Sequence, residues 1–287
     1  ASLSALLQEE RITIWYSVPF LLQQLVLRGD LEHRDLSELR LLKFGGEVPA
    51  ASILAELVDH VPNAELVNVY GPAEVNQCTH HVVTAKDLET GTIPIGAPWP
   101  AAEVRVTEPG TESPGAEVPA GELWVASATM MAGYYDEPDL DTSSIVVSDD
   151  RRWYRTGDLV ERNSDGGLVF RGRRDQQVKV RGHRIEIEAI EAELERVAGV
   201  EAAVVAVTRE ADGSAEIIAG ILPVGAGGVP DETLELDAVI AAVRPHLPPY
   251  ALPSQVVTIS GVSTTGSGKL DRRTLRIALP DLVEENR

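Results

Sequence analysis

An alternation of apolar runs in the first third of the chain constrains its fold more than any other feature. Residues 12–16 (ITIWY) read as a buried strand, residues 39–46 (LRLLKFGG) as a strand ending in Gly45-Gly46, and residues 64–71 (AELVNVYG) as a third. Helix-like segments separate them, at 19–27 with Pro19 in the first turn and at 49–60, and another precedes them at 4–10. Strand, helix and strand at this spacing predict a parallel sheet with crossover helices. The chain enters the pattern with no initiator Met and no first strand of its own, which reads as a fragment of a longer protein.

Between residues 91 and 170 short runs divided by Pro, Gly and Asp take over: IPIGAP, AEVRV, GELWVAS, WYRTGDLVER and GGLVFRG. These predict an antiparallel β region. After Asp175, QVKVRGHRIE alternates like a hairpin, IEAIEAELERV is an amphipathic helix, and VEAAVVAV and AEIIAGILPV are strands. A helix near 234–246 and the strand SQVVTIS complete a small α+β unit. The expected fold class is α/β, with a large domain over 1–174 and a small one over 175–287, divided in the charged segment 171–175.

Composition removes several functions. The 287 residues carry 45 acidic against 25 basic side chains, a net charge of −20, which opposes binding to nucleic acid or to an anionic membrane. Any phosphate must therefore be held by a local basic or backbone site. The one cysteine, Cys78, allows no internal disulfide and no cysteine-based zinc site. No apolar run approaches a membrane span and no signal-peptide order opens the chain, so a cytoplasmic location is expected.

Four segments carry candidate chemistry. STTGSGKLD (263–271) is a glycine-rich loop with Lys269; four residues separate Gly261 from Gly266, but Ser267 follows instead of Lys, so it is not a Walker loop. Lys269 is thus either phosphate-directed or part of an ordinary surface turn. In NVYGPAEVNQC (68–78), Gly71-Pro72 breaks a strand at its carboxyl end and offers Tyr70 and Glu74, whose alternative is a purely structural role. A single Glu beside phosphates is enough to help hold Mg²⁺. In YRTGDL (154–159), Asp158 follows a Thr-Gly turn, where it either accepts from a vicinal diol or closes an Asx-type turn, the latter favoured by spacing alone. Arg173, Arg174, Lys179, Arg181 and Arg184 form either a solvated hairpin face or a ligand-facing patch at the domain junction. His80 and His81, as strand neighbours, point to opposite faces and make a poor metal pair. Cys78 has no evident partner as a nucleophile and reads as packing.

In order, YGPAE, GELWVAS…GYY, WYRTGDL, FRGRRDQQVKVRGHRIEIEAIE, LPPYALP and TTGSGKLDR resemble the serial motifs of the adenylate-forming superfamily, which includes peptide-synthetase adenylation domains, acyl-CoA synthetases and luciferases. The resemblance runs from about Ile12 to the region of Arg272, and the segment 172–191 is most similar to the amino-acid-activating branch that loads carrier proteins. It implies attack of a carboxylate on the α-phosphate of ATP, giving acyl-AMP and pyrophosphate, followed by transfer to a phosphopantetheine thiol on a carrier protein. It also implies a setting in nonribosomal peptide synthesis or antibiotic biosynthesis.

Carried residue by residue, the resemblance implies that Tyr70, beside Gly71, stacks on adenine, Glu74 holds Mg²⁺, Asp158 takes the ribose hydroxyls with Arg173 nearby, and Lys269 bridges carboxylate, ribose and α-phosphate. Asp175 would be the hinge, and Gly182 would leave room for the pantetheine arm. The acid pocket would involve Tyr16, Lys43, Gly45, Val69, Gln77 and Cys78. Lys43 is unusual there: it either pairs with an acidic substrate group or snorkels outward, the reading preferred from sequence. Two departures stand out. Ala73 replaces the usual Thr, and the phosphate loop and amine-binding Asp that lie upstream in this family are absent, so the chain alone is expected to be incomplete for activation. The alternatives are an acyl- or aryl-CoA ligase and a non-catalytic carrier-binding fragment.

Overall fold

The structure is a computed structural model that describes residues 3–174, 177–180, 182–209, 215–224, 235–259 and 271–285. It divides into two compact units, 1–175 and 176–287. Lys269 and Asp175 lie outside the described residues.

The first unit opens with α1 (Leu3–Glu9), β1 (Ile14–Ser17), α2 (Pro19–Arg28), β2 (Leu41–Gly45), α3 (Ala51–His60) and β3 (Glu65–Tyr70). Proline at the start of α2 suits a position whose N–H has no helical acceptor. β1, β2 and β3 pair in parallel. β4 (Thr79–Val82), α4 (Ala85–Thr90) and β5 (Ala97–Pro98) follow, and the two strands extend the sheet in antiparallel fashion to the order β1-β2-β3-β4-β5. The helices cover one face. Leu22 and Leu25 of α2 and Leu54 and Leu57 of α3 pack with Leu42, Phe44 and Leu66, and each fully buried leucine contributes about 1.5–3 kcal/mol.

Residues 12–16 are not the buried strand expected. β1 is the sheet's edge, and Ile14 and Tyr16 are 58% and 53% exposed, because the helices pack on the face that carries Trp15 and Ser17. IPIGAP is also mostly irregular, contributing only β5 and a bridge from Gly96 to Leu168.

The antiparallel region contains β6 (Ala102–Thr107), β7 (Ala120–Ser127), α5 (Pro138–Ser144), β8 (Ile145–Ser148), β9 (Arg151–Arg162) and β10 (Leu168–Arg173). Its order is β10-β9-β7-β6, with β8 also paired to β9. Backbone bonds join the two sheets: Ile95 N–H donates to Leu168 O at 2.8 Å, and Leu168 N–H to Gly96 O at 2.8 Å.

The second unit begins with the hairpin β11 (Gln177–Val180) and β12 (His183–Glu186) and continues with α6 (Ile187–Glu195). β13 (Val200–Arg209), β14 (Ala215–Pro223), α7 (Leu236–Val243), β15 (Gln255–Thr258) and α8 (Arg272–Glu285) complete it. β14 is central in the order β13-β14-β15 and apolar on both faces, as a covered strand must be. Ile190 and Leu194 of α6 and Val239 and Val243 of α7 meet Ile217, Ala219 and Ile221 on one face. Leu279 and Val283 of α8 meet Ala206 and Ile218 on the other. α8 is not among the elements expected from the sequence.

Candidate functional site

Tyr16 and Tyr70 stand at or next to the carboxyl ends of β1 and β3, where open α/β sheets gather their ligands, and Lys43 lies in the middle of β2 between them. The loop after Tyr70 is closed on itself. Cys78 N–H donates to Tyr70 O at 2.8 Å, and Cys78 Sγ lies 3.5 Å from the same oxygen. Asn76 takes φ 59°, a left-handed conformation that asparagine tolerates well. Gly71 is obligatory, since a Cβ there would lie 1.5 Å from Asn76 O.

The Thr-Gly turn expected before Asp158 is a β-bulge inside β9. Glu122 pairs with Leu159 and Trp124 with Arg155, so Leu123 alone faces Thr156, Gly157 and Asp158. Gly157 supplies φ 71°. Thr156 Oγ1 donates to Leu123 O at 2.7 Å and accepts from Asp158 N–H at 3.0 Å. The bulge aims Asp158 across the sheets instead of back to its own turn. Its Oδ2 accepts from the Tyr70 hydroxyl, and its Oδ1 accepts from Arg173 Nη1 at 2.6 Å. Arg173 stands directly opposite on β10. Tyr70, Asp158 and Arg173 therefore form one hydrogen-bonded group built from three strands.

This group is largely withdrawn from water: the Asp158 and Arg173 side chains are 7% and 13% exposed. Burial, followed by the charge of Asp158, pushes the Tyr70 phenol well above its ordinary value, so it remains a donor. Burial and the same carboxylate push the Cys78 thiol up to about 12. A thiol so hard to ionise is no nucleophile at neutral pH.

Glu74 occupies a second group beside the first. It is buried, and its Oε1 accepts from Tyr134 Oη at 3.0 Å; Tyr134 Oη also meets Tyr154 Oη at 3.1 Å. Burial is the first cause raising the Tyr134 pKa, and the charge of Glu74 adds to it. Tyr154 packs in the same apolar cluster as Tyr70 and Cys78. Tyr134 and Tyr154 received no role from the sequence, although GYY and WYRTGDL contain them. Among the described residues no group of three or more His, Cys, Asp and Glu is arranged to hold a metal. One buried carboxylate still suits Mg²⁺, which completes its shell with water and phosphate oxygens.

A third group lies on the sheet face opposite the helices. Tyr16 pairs in register with Lys43, Gly45 with Val69, and Val69 with His80. Lys43 does not snorkel outward. Its Nζ donates to Gln77 Oε1 at 3.2 Å and lies 5.6 Å from the centroid of the Trp99 ring. The Trp99 ring stacks on His80 at 3.7 Å and 11°, and the Trp99 backbone N–H donates to Cys78 O. Val69 and Cys78 are almost wholly buried, and Val69 lies on the same face as Gly45, where a Cβ would lie 2.1 Å from Val69 O. His81 instead contacts Asp87 at 2.8 Å, within the capping box of α4, and neither histidine is arranged as a metal pair. In the second unit Gly182 forms the exposed turn of the β11–β12 hairpin with φ 84°, a conformation that favours glycine.

The profile described as "AMP-binding enzyme" matches residues 1–135, and that described as "AMP-binding enzyme C-terminal domain" matches residues 186–269. The chain belongs to the AMP-binding enzyme family. This AMP-binding enzyme chain holds the carboxyl-terminal portion of the core and the C-terminal domain. It is 34% identical to the L-proline--[L-prolyl-carrier protein] ligase of Streptomyces coelicolor over 96% of its own length and 50% of that protein's. It is 33% identical to the phenyloxazoline synthase MbtB of Mycobacterium sp. (strain MCS), over 99% of its own length and 24% of the relative's. Among solved structures, the amide bond synthetase McbA from Marinactinospora thermotolerans superimposes with a TM-score of 0.79 at 26% identity, covering 96% of this chain and 53% of that one. Holo-PA1221, an NRPS protein containing adenylation and PCP domains, does so with 0.75 at 28%, covering 95% and 46%. The AMP-binding enzyme chain thus spans about half or less of the relatives it matches. Among its described residues, no helix is long and apolar enough to cross a membrane.

Proposed function

We propose that this chain is the carboxyl-terminal part of an ATP-dependent ligase that converts an amino acid to its aminoacyl-AMP and passes the acyl group to a carrier-protein phosphopantetheine. The observation that carries the reading is the Tyr70–Asp158–Arg173 group, a neutral donor and a paired carboxylate held together near the ends of parallel strands. Asp158 accepts from the ribose hydroxyls, kept in place by Arg173, and Tyr70 presents its ring to adenine from a position set by the closed loop. Glu74, positioned by Tyr134, holds Mg²⁺, whose role is to neutralise phosphate charge and ease the departure of pyrophosphate.

Lys269 reaches the α-phosphate and the reacting carboxylate. Phosphoryl chemistry of this kind is mostly positioning and charge stabilisation, which suits a lysine carried on a glycine-rich loop. Asp175 serves as the hinge between residues 1–174 and 175–287, and Gly182 gives the thiol arm room in the second half-reaction. The upstream part of the same enzyme supplies the missing phosphate loop. The similarity to a prolyl-carrier ligase supports a carrier thiol over coenzyme A as acceptor.

The test is ATP–pyrophosphate exchange by the native full-length protein over a panel of amino, aryl and aliphatic acids, followed by transfer to holo carrier protein or to coenzyme A. Exchange with an amino acid and loading of the carrier support the reading. Transfer to coenzyme A alone would replace it with an acyl- or aryl-CoA ligase, and no exchange with any acid would leave a non-catalytic fragment.

A further inference from the structure

We propose that the acid activated at this site carries a second carboxylate, on its side chain, held by Lys43 and Gln77. The inference rests on the adenylation reading above and deepens it by naming the substrate class. Lys43 lies on the sheet face that carries Tyr16, and it is half-buried. The protein carries 45 acidic side chains, yet among the described residues none lies within ion-pair distance of Lys43. Its hydrogen-bond partner is the neutral Gln77 Oε1 at 3.2 Å, and the Trp99 face 5.6 Å away stabilises a cation without neutralising it.

The surroundings are rigid enough to select. The Trp99 ring is held by its stack on His80, and the Trp99 backbone by the bond from its N–H to Cys78 O. Gln77 is fixed by the closed loop, and its N–H is further held by Asn76 Oδ1 at 2.8 Å. With Gln77 Oε1 turned to Lys43, the amide nitrogen remains a donor of two hydrogens. A carboxylate entering between them meets an ammonium and an amide N–H, while a neutral side chain leaves a partly desolvated cation without counter-charge. Sites built for a polar group reject analogues that lack it far more strongly than apolar pockets reject a methylene, so a preference of about 100-fold or more is expected. The shared anchor of Gln77 and Tyr70 in one loop links this carboxylate site to the proposed nucleotide site.

The experiment is pyrophosphate exchange by the full-length protein with glutamate and aspartate against glutamine, asparagine and leucine. Wild type is expected to favour an acidic member by about 100-fold over its neutral isostere. Lys43→Met should invert that order, Lys43→Arg should keep it, and Lys43→Glu should shift preference toward a basic amino acid. Lys43→Arg, together with ATP binding by each variant, separates specificity from failure to fold. A wild type that prefers neutral acids, with a ranking unmoved by the methionine and glutamate variants, overturns the inference and leaves the adenylation reading standing. Absence of exchange with every acid overturns both.

Discussion

Tyr70 donates its phenol hydrogen to Asp158 across 88 residues of sequence, joining the end of a parallel strand to a bulge in the antiparallel sheet. Tyr70→Phe keeps the ring and removes the donor, leaving a buried carboxylate one bond short. A loss of about 1.5–3 kcal/mol is expected from denaturant titration, with a raised KM for ATP. Unchanged stability would mean the contact is not formed in solution.

The same burial sets an alkaline limit. The folded Tyr70 phenol ionises well above 10.0 and the folded Cys78 thiol at about 12, against 9.0 for an ordinary thiol. Above those ordinary values the unfolded chain releases protons that the folded chain retains, so stability falls as pH rises. The decline is expected to begin near pH 9 and steepen beyond about pH 10. Cys78→Ala should flatten the first part and Tyr70→Phe the second, as read from melting temperature against pH.

Asp158→Asn keeps the side-chain shape and removes the charge opposite Arg173, whose side chain is 13% exposed. Breaking a buried pair from one side costs about 3–5 kcal/mol, and ATP affinity should fall with it. An Asp158→Asn protein that melts and binds ATP like wild type would count against both roles.

Lys269→Ala tests the residue whose role comes from the family resemblance. Adenylation is expected to drop by about 10²–10³-fold, by analogy with losing one preorganised donor, while transfer from preformed aminoacyl-AMP falls much less. Equal losses in the two half-reactions would remove Lys269 from the first.

In the second unit, Glu191 is buried and accepts from Arg276 Nη2 at 2.6 Å, Arg272 Nη1 at 3.1 Å and Val205 N–H at 2.9 Å. Arg272 also donates to Glu195 Oε1 at 2.6 Å. Glu191→Ala leaves Arg276 without its carboxylate and Val205 N–H without its acceptor, while Arg272 keeps Glu195, and about 3–5 kcal/mol of stability should be lost. A double-mutant cycle with Arg276→Met should return a large part of it as coupling energy.

Much of this architecture was legible in the sequence, because apolar period alone separates parallel strands, short antiparallel strands and the amphipathic α6. Three of the features that were not show why. Ile14 and Tyr16 are as apolar as core residues, and nothing local reveals that β1 is an edge. Thr156-Gly157 has turn chemistry, and only pairing with β7 makes it a bulge. Lys43 has the stem of a snorkelling residue, and its inward course depends on Gln77 and Trp99, 34 and 56 positions away. Motif order brought Tyr70, Asp158 and Arg173 under suspicion, while the phenol-to-carboxylate bond itself is a tertiary fact.

The loop pinned by Gly71 at one end and Cys78 at the other behaves as an exchangeable cartridge with a fixed socket. On the reading proposed above, changing the side chains at positions 77 and 43 together should change the acid preference while the backbone around Tyr70 stays where it is. On that same reading, two codons and no loop graft are the place to start.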